Sequence, residues 1–421
     1  MAGSPLPEPA RAGYLDALQR VTAALPAGQR EARRSAMQRF FDAGFPSRRH
    51  EWWRYTDLSQ LADQHYQAAE AAGDAQRHAR LPRTDGLVYV NGALDEALSS
   101  APELSRPVEL SVSAGDGDEG LQALGTALAT PGLDLQLGDN ARIARPLHLV
   151  LAGTGTAAMV HQRHRIALGR HAQASLIIDL RGDAGTRLST QTFDIRLAAG
   201  AQLSLYRVQD DGAEATLVTR IDAQLAADSR LSAVCIDAGG GLCRNDFNVV
   251  LDGRGAEIEL LGLYRPVPGA HLDNHTRIIH AQPHGRSRET FRGIVDGRTR
   301  AIFNGKVVVA PNAQKTDSEQ RIATLLLSRR AEVDTKPELE IHADDVRCAH
   351  GATVGQLDAT ALAYLRSRGI DPDTARALLL QGFAAQILDA VKLPALREDL
   401  HRRLGFPGSD LQLDAVGEEA A

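Results

Sequence analysis

Apolar side chains recur at helical spacing in the first part of the chain and at strand spacing in the middle. Between residues 14 and 72 they return every three or four positions, which predicts α-helices. The three predicted helices cover 14–25, 29–42 and 51–72. A strand is predicted over 86–91, where Asn91-Gly92 is a typical hairpin turn. From about residue 133 apolar and polar residues alternate, and glycine follows every one or two strands, which indicates a mainly β segment.

The β segment contains a repeat of about 28 residues. Each copy has an apolar strand, a small residue at a corner and a second apolar strand, as in DIRLAAGAQLSLYRV. The corner residues are spaced 29, 28 and 27 positions apart: Ala172, Ala201, Ser229 and Ala256. A constant two-strand period is required by a β-solenoid and not by a sandwich or a barrel. We therefore predict a mainly β fold with a solenoid core.

Helical spacing returns near the C-terminus. Helices are predicted over 358–368 and 372–391, and an Asp-Pro-Asp sequence provides a strong start for the second one. That helix is apolar on nearly every side, whereas a surface helix needs only one apolar stripe. We therefore expect a partner protein to dock on it. The candidate contacts are Leu379, Phe383 and Ile387.

These patterns predict three structural units. They are a mainly helical N-terminal domain over 1–105, a β-solenoid core over 106–355, and a C-terminal helical domain with an acidic tail over 356–421.

Composition and charge exclude several classes of protein. Hydrophobic residues make up 43% of the 421 residues, so the chain can bury a large core. Aromatic residues make up only 4%, and the net charge is −6, which argues against a dedicated nucleic-acid binder. The three cysteines fit a reducing compartment, and no apolar run reaches the ~18 residues of a membrane span. We expect a soluble, cytoplasmic protein.

A Cys-x-His pair near the end of the β segment is the strongest candidate for chemistry. Cys348 and His350 lie two residues apart, so on a strand both side chains point the same way. A thiolate and an imidazole together suit iron or zinc. Two ligands cannot close a metal site, and a terminal strand edge can take a partner strand. We therefore expect a second chain to complete the site; the alternative is a buried cysteine beside a surface histidine.

Two other groups of residues favour structural interpretations. Four histidines cluster at His271, His275, His280 and His284. Strand parity separates the first two from the last two, and no acid or cysteine stands at ligand spacing, so we favour a solvated face over a metal site. Arginines crowd residues 286–300 with Glu289 and Asp296 among them, which also favours a solvated face over a phosphate site.

Motifs for nucleotide hydrolysis are missing from the sequence. The fragment Asn304-Gly305-Lys306 lacks both the upstream glycine and the hydroxyl residue of a P-loop. We therefore expect this chain to hydrolyse no ATP by itself.

Several runs resemble the SufB/SufD family of the SUF iron–sulfur cluster assembly system. EWWRYTDL at 51–58 resembles the family's N-terminal segment E-x-W-[KR]-Y-T-x-L. The most specific similarity covers AQKTDSEQ at 313–320, LLLSRRAEVDTKPELEIHADDVRCAHGATVGQLD at 325–358, and YLRSRGI at 364–370. Within this stretch, the pattern C-x-H-G-A-T-V-G-Q-L-D is similar to the SufD branch rather than to the SufB branch.

The resemblance implies a scaffold rather than an enzyme, built as a right-handed parallel β-helix between helical N- and C-terminal domains. It implies pairing with a SufB-like subunit and docking of a SufC-like ABC ATPase on the C-terminal helices. Iron–sulfur clusters would form transiently at the SufB–SufD interface, with none held tightly by the isolated chain. The family's functional cysteine and histidine match Cys348 and His350.

Two alternatives stay open. One is a SufB-like scaffold that acts as its own homodimer. The other is a carbohydrate-active β-helix enzyme, although such enzymes need a cleft with paired acids and aromatic platforms, and the predicted strands offer few aromatic residues.

Overall fold

A stack of β-strand coils forms the centre of the molecule. The computed structural model describes residues 6–69, 80–108 and 119–406. Within these ranges each full coil contributes one strand to each of two sheets, whose successive strands pair in parallel. The strands are β1 (Gln67–Ala68), β2 (Asp85–Val90), β3 (Ala93–Leu94), β4 (Ser105–Arg106), β5 (Gly132–Leu137), β6 (Leu147–Gly153), β7 (Ala158–Leu168), β8 (Gln173–Gly182), β9 (Arg187–Leu197), β10 (Gln202–Asp210), β11 (Ala215–Leu225), β12 (Arg230–Asp237), β13 (Leu242–Leu251), β14 (Glu257–Tyr264), β15 (His271–His280), β16 (Arg286–Val295), β17 (Arg300–Val309), β18 (Asp317–Leu326), β19 (Glu332–Ile341) and β20 (Arg347–Gly355).

The two sheets separate odd-numbered from even-numbered coil strands. The odd sheet runs β19-β17-β15-β13-β11-β9-β7-β5-β4, with β1 added beside β7. The even sheet runs β20-β18-β16-β14-β12-β10-β8-β6-β2-β3. Apolar side chains from both sheets meet between them and form one continuous core.

The corners of the coils explain the sequence repeat. Ala172, Ala201, Ser229 and Ala256 are all fully buried. Each closes a tight turn: the N–H of Ala201, for example, donates to the carbonyl of Ala198 at 3.0 Å. Only a small side chain fits where one coil stacks closely on the next. The prediction of a mainly β chain with a parallel solenoid core between helical ends is confirmed.

Helices cover the outer faces of both sheets. They are α1 (Glu8–Thr22), α2 (Ala27–Ala43), α3 (Glu119–Leu128), α4 (Ala359–Ser367), α5 (Pro372–Leu388) and α6 (Pro394–Arg403), with short 3₁₀ helices at Glu51–Trp53, Ser59–Asp63 and Pro102–Leu104. The first three pack on the odd sheet, and α5 and α6 pack on the even sheet. None of the helices in the described ranges has the length and apolar character that a membrane crossing requires.

Local sequence signals account for most of the element boundaries. The hairpin β2–β3 turns at Asn91 and Gly92, whose φ angles of 53° and 78° suit these residue types. The helix predicted over 51–72 is wrong, because the described part of this stretch forms two short 3₁₀ helices and β1. Asp57 interrupts it by accepting hydrogen bonds from the N–H and hydroxyl of Ser59, a local pattern that competes with an α-helix.

Other predictions at the C-terminal end had mixed outcomes. The helix predicted over 372–391 is α5, and Asp371 caps it as expected by accepting from the N–H groups of Asp373 and Thr374. The helix α6 was not predicted. The predicted acidic tail lies outside the described residues, and the domain boundaries at 105 and 355 stay predictions.

Candidate functional site

The Cys-x-His pair lies on β20, which is the last strand of the even sheet in the described chain. β20 pairs with β18 so that Cys348 stands opposite Ser318 and His350 opposite Gln320. Ser318 and Gln320 are buried inside the solenoid. The register therefore puts Cys348 and His350 at interior-facing positions where the stack ends. Cys348 is half-buried and His350 is exposed.

A row of hydrogen-bonded side chains lies beneath Cys348. His280 Nε2 lies 2.9 Å from Ser287 Oγ, and Ser287 Oγ donates to Ser318 Oγ at 2.9 Å. Ser318 is the residue in register with Cys348. Burial lowers the pKa of His280 to about 4, so its imidazole is neutral near pH 7. Strand parity in the sequence placed His280 and His271 on opposite faces, but it did not indicate that Ser287 is the hydrogen-bond partner of His280.

A second polar row lies beneath His350. Gln320 is in register with His350, and its Nε2 atom donates to Glu289 Oε2 one coil further in. Burial raises the pKa of Glu289 to about 7. The interior below the open end of the solenoid therefore holds an acid that is close to half-protonated near neutral pH.

The thiol of Cys348 is protonated in the isolated chain. Burial raises its pKa, and the Asp317 carboxylate raises it further. A cysteine must lose this proton before it can bind a metal ion, so protonation of the Cys348 thiol would compete with metal binding.

The two sheets end in different kinds of edge. In β19 the N–H of Glu332 donates to the carbonyl of Thr299, so alternate residues such as Pro337 turn their backbone groups to the open edge. Pro337 has no N–H to donate there. Charged residues also line this strand: Glu332, Asp334, Lys336, Glu338 and Glu340. Proline and charge are common protections against unwanted strand addition.

The edge of β20 has no such protection. The N–H of Arg347 donates to the carbonyl of Thr316, which leaves the backbone groups of Cys348, His350 and Ala352 facing the open edge. Arg347 is the only charged residue in the strand, and the strand contains no proline. The edge that carries the Cys-x-His pair is therefore the one open to a further strand.

The four clustered histidines are spread over separate environments. His271 and His275 lie on the outer face of the odd sheet, His280 lies inside the solenoid, and His284 occupies an exposed turn. The expectation of a solvated face is wrong for His275 and His280, which are buried. Across the ranges that the structure describes, no group of three or more His, Cys, Asp or Glu side chains is placed to hold a metal ion.

The arginines of residues 286–300 form ion pairs along the solenoid surface. Arg288 lies 2.6 Å from Asp317, and Arg300 lies 2.7 Å from Asp334. Arg286 lies 3.5 Å from Glu257. These pairs join residues of neighbouring coils and support the interpretation of a solvated, charge-balanced face for these arginines. The interpretation is wrong for Glu289, which is buried inside the solenoid.

The outer face of the even sheet buries one side of α5. Leu380 and Ile387 are buried against it, and Ile387 has no exposed surface. Ile387 is therefore removed from the predicted docking contacts, because the solenoid itself supplies the burial that the sequence seemed to require from a partner. Leu379 and Phe383 are half-buried. The neighbouring α4 exposes Tyr364, whose relative exposure is 58%.

Several buried charged pairs were missed by reasoning from the sequence, including Arg207 with Asp237 and two on the outer faces of the sheets. On the odd sheet, Asp273 is paired with Arg244 at 2.6 Å beneath the N-terminal segment. On the even sheet, Asp179 is fully buried and bound by Arg403 of α6 at 2.8 Å. Arg244 and Asp273 lie one repeat apart, so alignment of the repeats could have revealed their pairing. Asp179 and Arg403 are distant in sequence and belong to different elements, so no spacing signal could have revealed theirs.

Comparison with known proteins gives consistent matches. The family model "SUF system FeS cluster assembly, SufBD core domain" matches residues 150–383, and "SufBD protein N-terminal region" matches residues 13–78. The iron–sulfur cluster assembly protein SufD of Escherichia coli is 33% identical over 88% of this chain and 92% of its own length. Iron–sulfur cluster assembly SufBD family proteins of Synechocystis and Mycobacterium leprae are 30% and 29% identical, over 85% and 84% of this chain and 86% and 88% of their own lengths.

Proposed function

Since this chain belongs to the SufB/SufD family of iron–sulfur cluster assembly proteins, as a SufD homologue, we propose that it is the SufD-type scaffold subunit of a SUF assembly complex. In this proposal a SufB-type chain adds to the open edge of β20, and nascent clusters form where His350 and Cys348 face that partner. The observation that carries the proposal is the position of this pair on the unprotected terminal strand.

The difference between the two edges supports a specific mode of pairing. The partner strand extends the even sheet, because β20 offers free backbone groups and β19 presents proline and charge instead. Strand addition supplies affinity through main-chain hydrogen bonds. It also brings the partner's side chains next to the interior-facing Cys348 and His350.

A shared site fits the chemistry of the two side chains. A neutral imidazole and a thiolate are both competent iron ligands. Two ligands are fewer than the four of a closed tetrahedral site. We therefore propose that the partner supplies the remaining ligands and that iron and sulfide are the cargo of the site rather than a resident cofactor.

The ATPase of the complex is proposed to dock on the C-terminal helices. The half-buried Leu379 and Phe383 on α5 and the exposed Tyr364 on α4 form a surface that the solenoid leaves partly uncovered. ATP hydrolysis would then come from a SufC-type partner, in line with the missing P-loop.

The test of the assembly role is the variant His350→Ala. The ladder between β18 and β20 is made of backbone hydrogen bonds, so the fold and the complex should survive. Cluster maturation should fail in a strain that depends on the SUF system. The matched control is His342→Ala, which removes another exposed histidine near the same end, paired with Glu340 at 2.9 Å. Normal maturation with His350→Ala would exclude the histidine from the reaction, and loss of the complex would make its role structural.

Cys348→Ser separates two roles of the thiol. If Cys348 is a second metal ligand, Cys348→Ser should reduce cluster maturation. If the thiol only fills space in the packing, the variant should leave maturation unchanged.

A further inference from the structure

The row of interior-facing residues in the even sheet that ends at His350 changes from apolar to polar along the stack. Residues in register along this row are Leu147, Leu176, Leu205, Ala233, Leu260, Glu289, Gln320 and His350. The row is apolar through β14 and polar only in the last three strands. Within this row, polar side chains therefore appear only in the three strands nearest the open end.

Glu289 is buried without a counter-ion. The residue is 2% exposed, and its Oε1 atom has no hydrogen-bond partner among the described residues. Gln320 donates to the other carboxyl oxygen, and the Oε1 atom of Gln320 also lacks a partner there. The groups beside Glu289 are uncharged: Leu260 of β14, Thr276 of β15 and Gln320 of β18. The ionisable groups of the adjacent interior row are His280, whose imidazole is neutral, and the thiol of Cys348, whose pKa is raised.

The opposite sheet leaves space for this polar pair. A Cβ atom added to Gly305 would lie 2.2 Å from Gln320 Nε2 and 2.7 Å from the ring of Phe303. A side chain at position 305 would therefore displace the amide. Burying a carboxyl and an amide oxygen without partners costs free energy, and a leucine would have continued the row without that cost. Buried groups of this kind are concentrated at functional sites.

We propose that Glu289 is a positioning residue for a divalent metal ion at the open end of the solenoid. When the ion binds at His350, the Glu289 carboxyl releases its proton to solvent. The resulting carboxylate attracts the ion electrostatically but does not contact it, because Gln320 lies between Glu289 and His350. This inference rests on the proposed function, because it requires metal binding at His350.

The spacing makes the interaction strong enough to measure. Neighbouring strands of a sheet lie about 4.8 Å apart, so two strands separate Glu289 from His350 by about 10 Å. Between a buried carboxylate and an ion at the exposed end of the solenoid, where the effective dielectric constant is about 50, a unit charge at this distance changes the affinity for a divalent ion by about tenfold. Burial raises the pKa of Glu289 to about 7, and a nearby cation favours the charged form, so proton release should occur near neutral pH.

The test is a titration of the full-length chain with Co²⁺, alone and in complex with its partner subunit, from pH 6.0 to 8.5. Calorimetry in buffers of different ionisation enthalpy counts the protons released per ion bound. Because a tenfold coupling corresponds to a pKa shift of about one unit, the wild-type chain should release about half a proton more than Glu289→Gln near pH 6.5, and this excess should vanish by pH 8.5. At pH 8 the variant should bind Co²⁺ about tenfold more weakly, and the difference should shrink toward pH 6.

Glu319→Gln is the matched control. Glu319 precedes Gln320 but lies on the outer face, where it pairs with Arg321. This variant should release the same number of protons as the wild-type chain. If Glu289→Gln folds poorly, Glu289→Leu continues the leucine row and gives the same readout.

Two results would overturn the inference. If the wild-type chain and Glu289→Gln release equal numbers of protons and bind Co²⁺ equally well, Glu289 has no role in metal binding. The role proposed for His350 would still stand, provided that His350→Ala abolishes binding. Unchanged Co²⁺ binding by His350→Ala would contradict both the role inferred for Glu289 and the metal-binding role proposed for His350.

Discussion

Asp273 shows how a single buried carboxylate joins the N-terminal segment to the solenoid. Its carboxylate accepts from Arg244 at 2.6 Å and from the hydroxyl of Thr56 at 2.5 Å, and His275 Nε2 lies 2.9 Å away. Burial alone would raise the pKa of Asp273, but the Arg244 guanidinium and His275 outweigh it and hold the pKa well below its usual range. The guanidinium carbon of Arg244 also lies 4.5 Å from the centroid of the Trp53 ring.

Replacing this carboxylate should destabilise the N-terminal packing. Asp273→Asn removes one of the two carboxylates that pair with the buried Arg244 guanidinium and leaves Asp246 as the other, so the loss should be about 1–3 kcal/mol. Urea titration followed by tryptophan fluorescence measures this change, because both tryptophans of the chain, Trp52 and Trp53, belong to this segment.

The effect of Asp273→Asn should depend on pH in a defined direction. The folded-state pKa is depressed, so the stabilisation is fully present above the unfolded pKa of about 3.9 and is lost as the pH falls below it. The difference between variant and wild type should therefore shrink between pH 5 and pH 2. Asp222→Asn is the control, because Asp222 is 37% exposed and pairs with Arg220 at the surface, where a salt bridge contributes about 1 kcal/mol or less. Equal losses in the two variants would contradict the assigned role.

At the level of elements, the open edge of β20 gives a direct test of partner addition. Ala352→Pro removes an N–H that faces the open edge and places the proline ring there, while the bonds to β18 stay in place. Co-purification of the SufB-type partner should fall by at least about tenfold, because strand addition depends on these backbone groups.

Thr335→Pro is the corresponding change on β19. Thr335 has the same open-edge orientation as Pro337, so this edge already lacks a donor nearby. The variant should retain the partner. Loss of the partner in Thr335→Pro and not in Ala352→Pro would reverse the assignment of the edges.

The elements that could be predicted from the sequence are those whose signals are local or strictly periodic. The corner at Ala201 repeats in every neighbouring coil, and parity alone put Cys348 and His350 on one face. The helix predicted over 51–72 failed because the hydrogen bonds that Ser59 donates to the Asp57 carboxylate outweighed the apolar spacing.

Parts of the site could not be predicted because they depend on register across coils. Glu289 aligns with Leu260 only when the strands are stacked, although the repeat itself offered that alignment and could have revealed an acid at an interior position. Gln320 and Gly305 meet across the two sheets, a contact that no spacing along the chain encodes.

In the whole molecule, the proposed cluster site and the proposed ATPase surface are close neighbours. α4 begins at Ala359, only a few residues after β20 ends at Gly355, and α4 packs against α5. α5 in turn lies on β14 and β16 of the same sheet that carries the open edge. Movement of a protein docked on α4 and α5 would therefore reach the end of the solenoid through one sheet, as the proposed coupling of ATP hydrolysis to cluster assembly requires.

This arrangement predicts the effect of charges on the helix surface. Leu379→Asp combined with Phe383→Asp puts two carboxylates on the half-buried side of α5, and interface anchors of this kind typically contribute 2 kcal/mol or more, which is about thirtyfold in affinity. Pull-down of the ATPase should be lost while circular dichroism retains the β signal, because Leu380 and Ile387 still hold α5 on the solenoid. Ala395→Asp adds a carboxylate at an exposed position of α6 and should leave binding unchanged. Normal binding by the double variant would move the docking surface away from α5, whereas loss of binding in both variants would indicate a general effect of added charge on the C-terminal helices.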